Sequence, residues 1–388
     1  MSGAGGALGA GPDDSGAGGA SGAGAGRAGE GAGAREASGA GPGGPGGTGA
    51  GEAPGRTILR DGRAYLFFSG YSYLGMSHVP DFIALLKEGL DRYGALFPSS
   101  RISNTTLPLY GHLEHYLAQL TGAEAAVTYG SGFLACQAVG RLLENETVLV
   151  APGTHPATGF RAAPGSYDDW CDEVRTRAWD QDHYVLVADS VDPLRGEVHD
   201  FVFLQELPRE KRFTVLIDDS HGIGWMGEHG EGISGALMHL PQVEYILVYS
   251  LAKALHVQGG AVSCSRAWGE RLRRSAFYTA STPMAPAFAH ALLSAGALYE
   301  VQRARLAHNM ELLRSPVLED ARLPVRLSKK AGLGAFLETR GILLSSFAYP
   351  DPGGPLLERV VLSALHERGD LEALMDACNV WAGTHTNS

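Results

Sequence analysis

The sequence predicts an α/β fold, with a large domain on a mostly parallel central sheet and a small C-terminal α+β domain. Three observations carry this. Short apolar runs of strand length recur through the middle of the chain, separated by helices or loops. Two of them, Val215-Leu216-Ile217 and Tyr245 to Tyr249, stop abruptly at polar residues, as buried parallel strands do. A long helical stretch, Ala285 to Arg314, then leads into a last segment that mixes strand and helix patterns.

The chain has 388 residues, and Gly and Ala make up 34 of the first fifty. That composition cannot bury enough apolar surface to offset chain entropy, so residues 1–55 read as a disordered tail. The tail lacks the apolar core of a signal peptide, and its acids (Asp13, Asp14, Glu30, Glu36, Glu52) argue against a transit peptide. The remainder divides into an N-terminal segment with the large domain (56–290) and a linking helix with the small domain (291–388). No apolar run approaches the ~18 residues of a membrane span. Net charge is −11, of which the tail contributes −3, so the folded part is a poor partner for nucleic acid. Four scattered cysteines (Cys136, Cys171, Cys264, Cys378) without a CxxC pair argue against structural zinc and disulfides and suit a reducing cytoplasm.

In order, Thr57 to Tyr65 reads as a hairpin turning at Asp61-Gly62. Pro80-Asp81 opens a helix with Phe82, Leu85, Leu86 and Leu90 on one face, closed by Gly94. Phe97 to Leu109 is polar and turn-rich. A helix over Gly111 to Thr121 ends at Gly122, and a strand over Ala125 to Tyr129 meets Gly130-Ser131-Gly132 before a helix from Phe133 to Leu143. Strands follow at Thr147–Ala151, Tyr184–Ala188, Thr214–Ile217, Tyr245–Tyr249 and Gly260–Cys264. Ala285 to Arg314 reads as one bent helix. The last segment holds a helix (Lys330–Thr339), a strand pair around Gly341–Phe347 and Arg359–Leu365, and a helix from Asp370 to Val380.

The carboxyl ends of parallel strands are where open α/β sheets bind ligands. Asp218 and His221 follow one strand, and Ser250 and Lys253 follow the next. A carboxylate at a buried strand end needs a cation or must cap a helix, and adjacent Asp219 is the alternative cap. A lysine placed directly after an apolar strand is suited to Schiff-base chemistry. Ser131-Gly132-Phe133 sits between strand and helix, so it reads either as an anion-binding loop at a helix N-terminus or as a tight turn. His155, in a loop after the third strand, is unassigned by itself.

The order of these features is more specific than any one of them. Together with YLG (Tyr73-Gly75), the Ser100–Ala118 stretch, SGF (Ser131-Phe133), DDSHG and its glycines (Asp218-Gly232), and LSALH (Leu362-His366), it resembles the α-oxoamine synthase family of fold type I pyridoxal-phosphate enzymes. The resemblance runs from about Tyr71 to Cys378. It implies pyridoxal 5'-phosphate as cofactor and an acyltransferase that joins an amino acid to an acyl thioester with loss of CO2. The acyl donor would be carried by CoA or an acyl carrier protein. It implies Lys253 as the covalent anchor and proton carrier, Asp218 on the pyridine nitrogen, His221 on the ring hydroxyl and His155 stacked on the ring. Ser131, Gly132, Phe133 and Ser250 would hold the phosphate, joined in a homodimer by the partner subunit's Ser281 or Thr282. Arg359 would bind the amino-acid carboxylate, with Ser72 where the family has asparagine. No metal is implied.

The chain departs from the family at Ser72, Thr105, Tyr110 and Pro193, in SLAK at the lysine, and in a shortened segment before Gly341 in which the usual strand is not evident. Other fold type I reactions (transamination, decarboxylation, aldol cleavage) and a non-catalytic synthase partner remain alternatives. Arg271, Arg273 and Arg274 form the densest basic cluster, read either as the acyl-donor patch or as a solvated helix face.

Overall fold

A computed structural model describes residues 54–319, 321, 323–348, 353–354 and 356–385. Residues 1–53, on which the reading of a disordered tail rests, lie outside the described residues.

The chain opens on a hairpin, β1 (Thr57–Arg60) and β2 (Arg63–Phe68). Asp61 and Gly62 between them both take left-handed backbone angles (φ 53° and 76°), the geometry that matches strand twist in a two-residue turn. Helix α1 (Pro80–Tyr93) starts on a proline that needs no amide partner and ends at Gly94. Helix α2 (Pro108–Thr121) starts three residues before the expected Gly111, again on a proline. Strand β3 (Ala125–Tyr129) and helix α3 (Gly132–Leu143) follow the predicted strand–glycine–helix pattern. Next come β4 (Val148–Val150), helix α4 (Tyr167–Arg177), β5 (His183–Asp189), and a two-residue ribbon of β6 (Val191–Asp192) with β7 (Glu197–Val198). Strands β8 (Arg212–Asp218), β9 (Val243–Ser250) and β10 (Gly260–Cys264) complete the central sheet.

That sheet has the order β3-β10-β9-β8-β5-β4. Its β9-β8, β8-β5 and β5-β4 pairs are parallel, and β10 alone runs against its neighbours. Alternate residues of each strand enter two separate cores. Val185, Val187, Leu216, Ile246 and Val248 pack with Ala135, Val139 and Leu143 of α3 on one face. Leu186, Val215, Ile217, Leu247 and Tyr249 join the larger core on the other. Helices therefore cover both faces, which is why the strands read as continuous apolar runs.

After the sheet come α5 (Arg266–Arg274), the short α6 (Ala276–Thr279), α7 (Pro286–Ser294) and α8 (Gly296–Leu312). The single bent helix expected over Ala285 to Arg314 is two helices. Ala295 leaves the helical region (φ −96°, ψ 15°), next to the poor helix former Gly296. The closing segment holds β11 (Val325–Leu327), α9 (Leu333–Thr339), β12 (Ile342–Ala348), β13 (Leu356–Val361) and α10 (Arg368–His385). The strand that the sequence hides is β11, three residues long and antiparallel to β13. The second strand of the expected pair ends at Val361 rather than Leu365. Beyond it, Ala364 donates its amide to the Tyr73 carbonyl (2.8 Å) and Ser363 its hydroxyl to the Ser72 carbonyl (3.0 Å), so the LSALH stretch turns back onto the YLG segment. The opening hairpin joins this region too, in a five-stranded sheet of order β1-β2-β12-β13-β11.

The basic cluster on α5 is a solvated helix face at Arg271 and Arg274 but not at Arg273. Arg273 donates to Glu114 (2.7 Å) and to the Ala126 carbonyl (2.7 Å). Arg271 lies over the Trp268 ring at 4.0 Å. Arg271 and Arg274 are both exposed, Arg274 lying 3.9 Å from Glu270. Arg273 is therefore part of the frame and not a landing site for an acyl donor.

Candidate active site

Parallel strands of equal polarity put their carboxyl ends side by side, and here those ends carry acid. Asp189 of β5 and Asp218 of β8 are register partners, both buried. Asp218 accepts the Ser220 amide on Oδ1 (2.9 Å) and the Cys136 thiol on Oδ2 (3.6 Å). Asp189 accepts the His155 amide (3.1 Å). Burial raises the Asp189 carboxyl far above the usual range, and Asp218 beside it adds to the rise. Asp219 does not cap the segment that follows it: its carboxylate accepts the Ile233 amide (3.0 Å) and the Ser190 hydroxyl.

Lys253 is half-buried in the turn between β9 and β10. The turn is closed by Leu251 N–H to the Gly259 carbonyl (3.0 Å) and Val257 N–H to the Leu251 carbonyl (3.1 Å). Burial lowers the pKa of its amine, while Asp218 and Asp189 pull it back up. A lysine in this setting yields its neutral, nucleophilic form more readily than one in water.

Two histidines flank the amine. The His155 ring is exposed, and its Nδ1 accepts the Ala157 amide (3.2 Å), which fixes the plane of the imidazole. His221 is driven well below its usual pKa by burial, with Lys253 and Arg359 adding to the effect. Its Nδ1 is 2.8 Å from the hydroxyl of Tyr73, a phenol that burial keeps protonated. With Tyr73 as donor, the His221 proton sits on Nε2 and is free to be donated.

The glycine loop presses on the same strand end. A Cβ on Gly132 would fall 2.6 Å from the Ser250 Cβ and 2.8 Å from its Cα, so only glycine fits. The Ser131 hydroxyl accepts the Leu134 amide (3.1 Å) and caps α3, and the Ser250 hydroxyl accepts the Ala252 amide (3.2 Å). Each keeps its own proton to donate. With the first-turn amides of α3, they form a compact set of anion donors. The Phe133 side chain is exposed, so it serves this set through its backbone. In the same chain the Thr282 carbonyl is packed against Gly130, and the Ser281 hydroxyl is turned onto the Phe277 carbonyl.

Arg359, on β13, points across from the small sheet. It donates to the Pro193 carbonyl (3.2 Å) and lies over the Phe347 ring, 5.2 Å from its centroid. Its Nε is buried without a hydrogen-bond partner. A buried guanidinium N–H left open is costly unless an anion completes it. Ser72 does not present a free side chain, since its hydroxyl is 3.0 Å from Nδ1 of His256. Thr105 lies in an exposed hydroxyl cluster with Ser99 and Ser103, and Tyr110 is buried, donating to the Met284 carbonyl (2.8 Å).

A family model for aminotransferase class I and II matches residues 66–341. The 8-amino-7-oxononanoate synthase of a Methylobacterium species is 31% identical, over 83% of this chain and 88% of its own length. The chain belongs to the α-oxoamine synthase family of the class I and II aminotransferases. Two solved structures share the fold at lower identity. Serine palmitoyltransferase from S. paucimobilis, with a bound pyridoxal phosphate–myriocin aldimine, has a TM-score of 0.72 at 20% identity, covering 84% of this chain and 90% of that one. The 8-amino-7-oxononanoate synthase of Francisella tularensis has a TM-score of 0.64 at 19% identity, covering 83% and 99%.

In this member of the family, the sequence singles out Lys253, Asp218, His221, His155, Arg359 and the Ser131–Ser250 loop, and the fold gathers them at one end of the sheet. It missed Asp189, Tyr73, Cys136 and His256. Asp189 was open to the argument used for Asp218, an acid at the end of a buried strand. Tyr73 stands in the YLG segment and His256 three residues beyond Lys253, but what these side chains and Cys136 touch is set by the fold.

Proposed function

We propose that this chain is a pyridoxal-phosphate-dependent acyltransferase that condenses an amino acid with an acyl thioester, carried by CoA or an acyl carrier protein, and releases CO2. The observation that carries the reading is the half-buried Lys253 amine beside the Asp218–Asp189 pair, with a glycine cradle and an open buried arginine on either side. The residues present fit pyridoxal phosphate. Gly132 packs on Ser250 too closely to admit a Cβ, which brings the donors of the two loops together, and that set suits a phosphate. Asp218 suits a pyridinium N–H, and Arg359 Nε suits a substrate carboxylate.

Ser131, Gly132, Phe133 and Ser250 would hold the phosphate, and His155 would lie on the ring. His221 would donate from Nε2 to the ring hydroxyl oxygen. When bound, the cofactor supplies an electron sink for charge at the amino-acid Cα. Asp218 would hold a proton on the ring nitrogen, because a buried carboxylate favours a nearby cation. Lys253 would take the Cα proton as a neutral amine. Arg359 fixes the carboxylate so that the bond to be broken is oriented. A homodimer in the cytoplasm, with the partner subunit's Thr282 at the phosphate, belongs to the same proposal. Among the described residues, no helix is long and apolar enough to cross a membrane.

The direct test adds each common amino acid, with and without acyl thioesters, to protein loaded with pyridoxal phosphate. Free thiol and CO2 appearing together, and only when both substrates are present, is the expected result. Transfer of the amino group to a keto acid without thiol release would replace this reading with transamination.

The cradle makes a second expectation. Gly132→Ala forces a methyl onto the Ser250 backbone, an overpacking of ~1–3 kcal/mol. Pyridoxal phosphate should bind roughly 10- to 100-fold more weakly, measured by fluorescence titration, with circular dichroism confirming the fold. Unchanged affinity would remove this loop from the phosphate site.

A further inference from the structure

The Ser72–Tyr73 dipeptide hands each of its hydroxyls to Nδ1 of a different histidine. Tyr73 meets His221, which the site already uses. Ser72 meets His256 at 3.0 Å, which it does not. His256 lies three residues beyond Lys253 in the same closed turn. One half-buried ring thus ties the turn of the lysine to the serine whose own carbonyl is held by Ser363.

The backbone at His256 is itself unusual. Its φ is 58°, a left-handed conformation that glycine adopts freely and a side-chain-bearing residue adopts at a penalty. Elsewhere among the described residues only Asp61, in the opening hairpin, does this without being glycine. A histidine retained where glycine would be easier indicates that its ring is in use.

We infer that His256 is a positioning residue: its imidazole couples the Lys253 turn to the Ser72 hydroxyl, so that the amine and the Ser72–Tyr73 segment that supports His221 are held as one unit. The inference rests on the function proposed above for Lys253. The ring needs only to be neutral for this, and burial, with His78 nearby, lowers its pKa accordingly.

Three variants test it: His256→Gly, Ser72→Ala and the double variant. Glycine suits the left-handed backbone, so His256→Gly should fold with an unchanged or higher Tm. In cofactor-free protein, the rate of reductive methylation of Lys253 by formaldehyde and cyanoborohydride is followed by peptide mass spectrometry across pH. Lys253 is faced by Asp218, Asp189, Cys136 and Arg359 in every variant, so a change in its titration reports the turn. Both single variants should move the midpoint upward by about half a unit or more, toward the ordinary lysine value, and the double variant should move it no further. In the loaded enzyme, KM for the amino acid should rise about 5- to 10-fold, as for one lost hydrogen bond, with kcat changing less. Independent effects in the double variant, or a Lys253 titration that stays put, would overturn the coupling. Failure of wild-type protein to attach pyridoxal phosphate at Lys253 would instead sink the proposed function, while the methylation comparison would still decide the role of His256.

Discussion

Lys253→Ala is expected to abolish covalent attachment of pyridoxal phosphate and to lower the condensation rate by at least about 10³-fold, since in the proposed function one residue supplies both the covalent anchor and the base. The attachment is read by borohydride reduction followed by mass spectrometry. The variant should still bind the cofactor non-covalently, because the cradle of Ser131, Gly132 and Ser250 and the carboxylate of Asp218 are untouched. Tm should change little, as the half-buried amine leaves by losing a charge that burial already disfavours. A variant that keeps a borohydride-fixed cofactor would move the covalent role to another lysine. The pH dependence has a definite sign. The Lys253 pKa is lowered in the folded chain, so labelling of this amine should begin at lower pH than labelling of the exposed lysines.

The second large effect is on stability. Glu114, on α2, is buried and accepts Arg101 (2.6 Å), Arg273 (2.7 Å), and both the amide (2.9 Å) and hydroxyl (3.1 Å) of Thr128. Arg101 in turn donates to the Thr128 carbonyl (2.5 Å) and lies over the Tyr278 ring at 4.2 Å. This network ties α2, β3 and α5 together behind the glycine loop. Removing the shared acid leaves buried cations unpaired, so Glu114→Gln should destabilise the fold by about 3–5 kcal/mol, a Tm loss on the order of 10 °C for a chain this size. Arg273→Glu should do comparable damage, with cofactor affinity lost because the fold is lost. A raised thioester KM in a fully folded Arg273→Glu protein would restore this arginine to the donor site. The pH dependence follows from the same contacts. Burial alone would raise the Glu114 carboxyl, but Arg101 and Arg273 outweigh it and hold its pKa below the ordinary value. A folded pKa below the unfolded one gives stability that is present above the unfolded value and lost as pH falls through the folded one. Wild-type protein should therefore lose this contribution in acid, and Glu114→Gln should show a correspondingly flatter acid limb in thermal melts.

Most of the sheet was legible because burial on both faces writes itself into the sequence as uninterrupted apolar runs. β10 was read at its observed bounds, and β5, β8 and β9 were each found one or two residues short at each end. The missed boundaries have a local cause. A helix break at Ala295 and a three-residue strand at Val325–Leu327 leave too little periodicity to detect. The misreading of Arg273 has a different cause. Three arginines within four residues look the same whether they face water or a buried glutamate 159 positions away, and only packing distinguishes the two.

The sequence by itself determined the chemistry available to this protein. A lysine after one buried strand, an acid after its neighbour and a glycine loop before a helix are local features, each set by a few consecutive residues. The tertiary structure decided which of these groups meet and in what electrical state. The pairing of Asp189 with Asp218 depends on strand register, and the open Nε of Arg359 depends on how β13 lies over Pro193. The tie from Ser72 through His256 to Lys253 depends on residues 184 positions apart. Such contacts are fixed by packing and burial, which act through space, and no spacing along the chain records them.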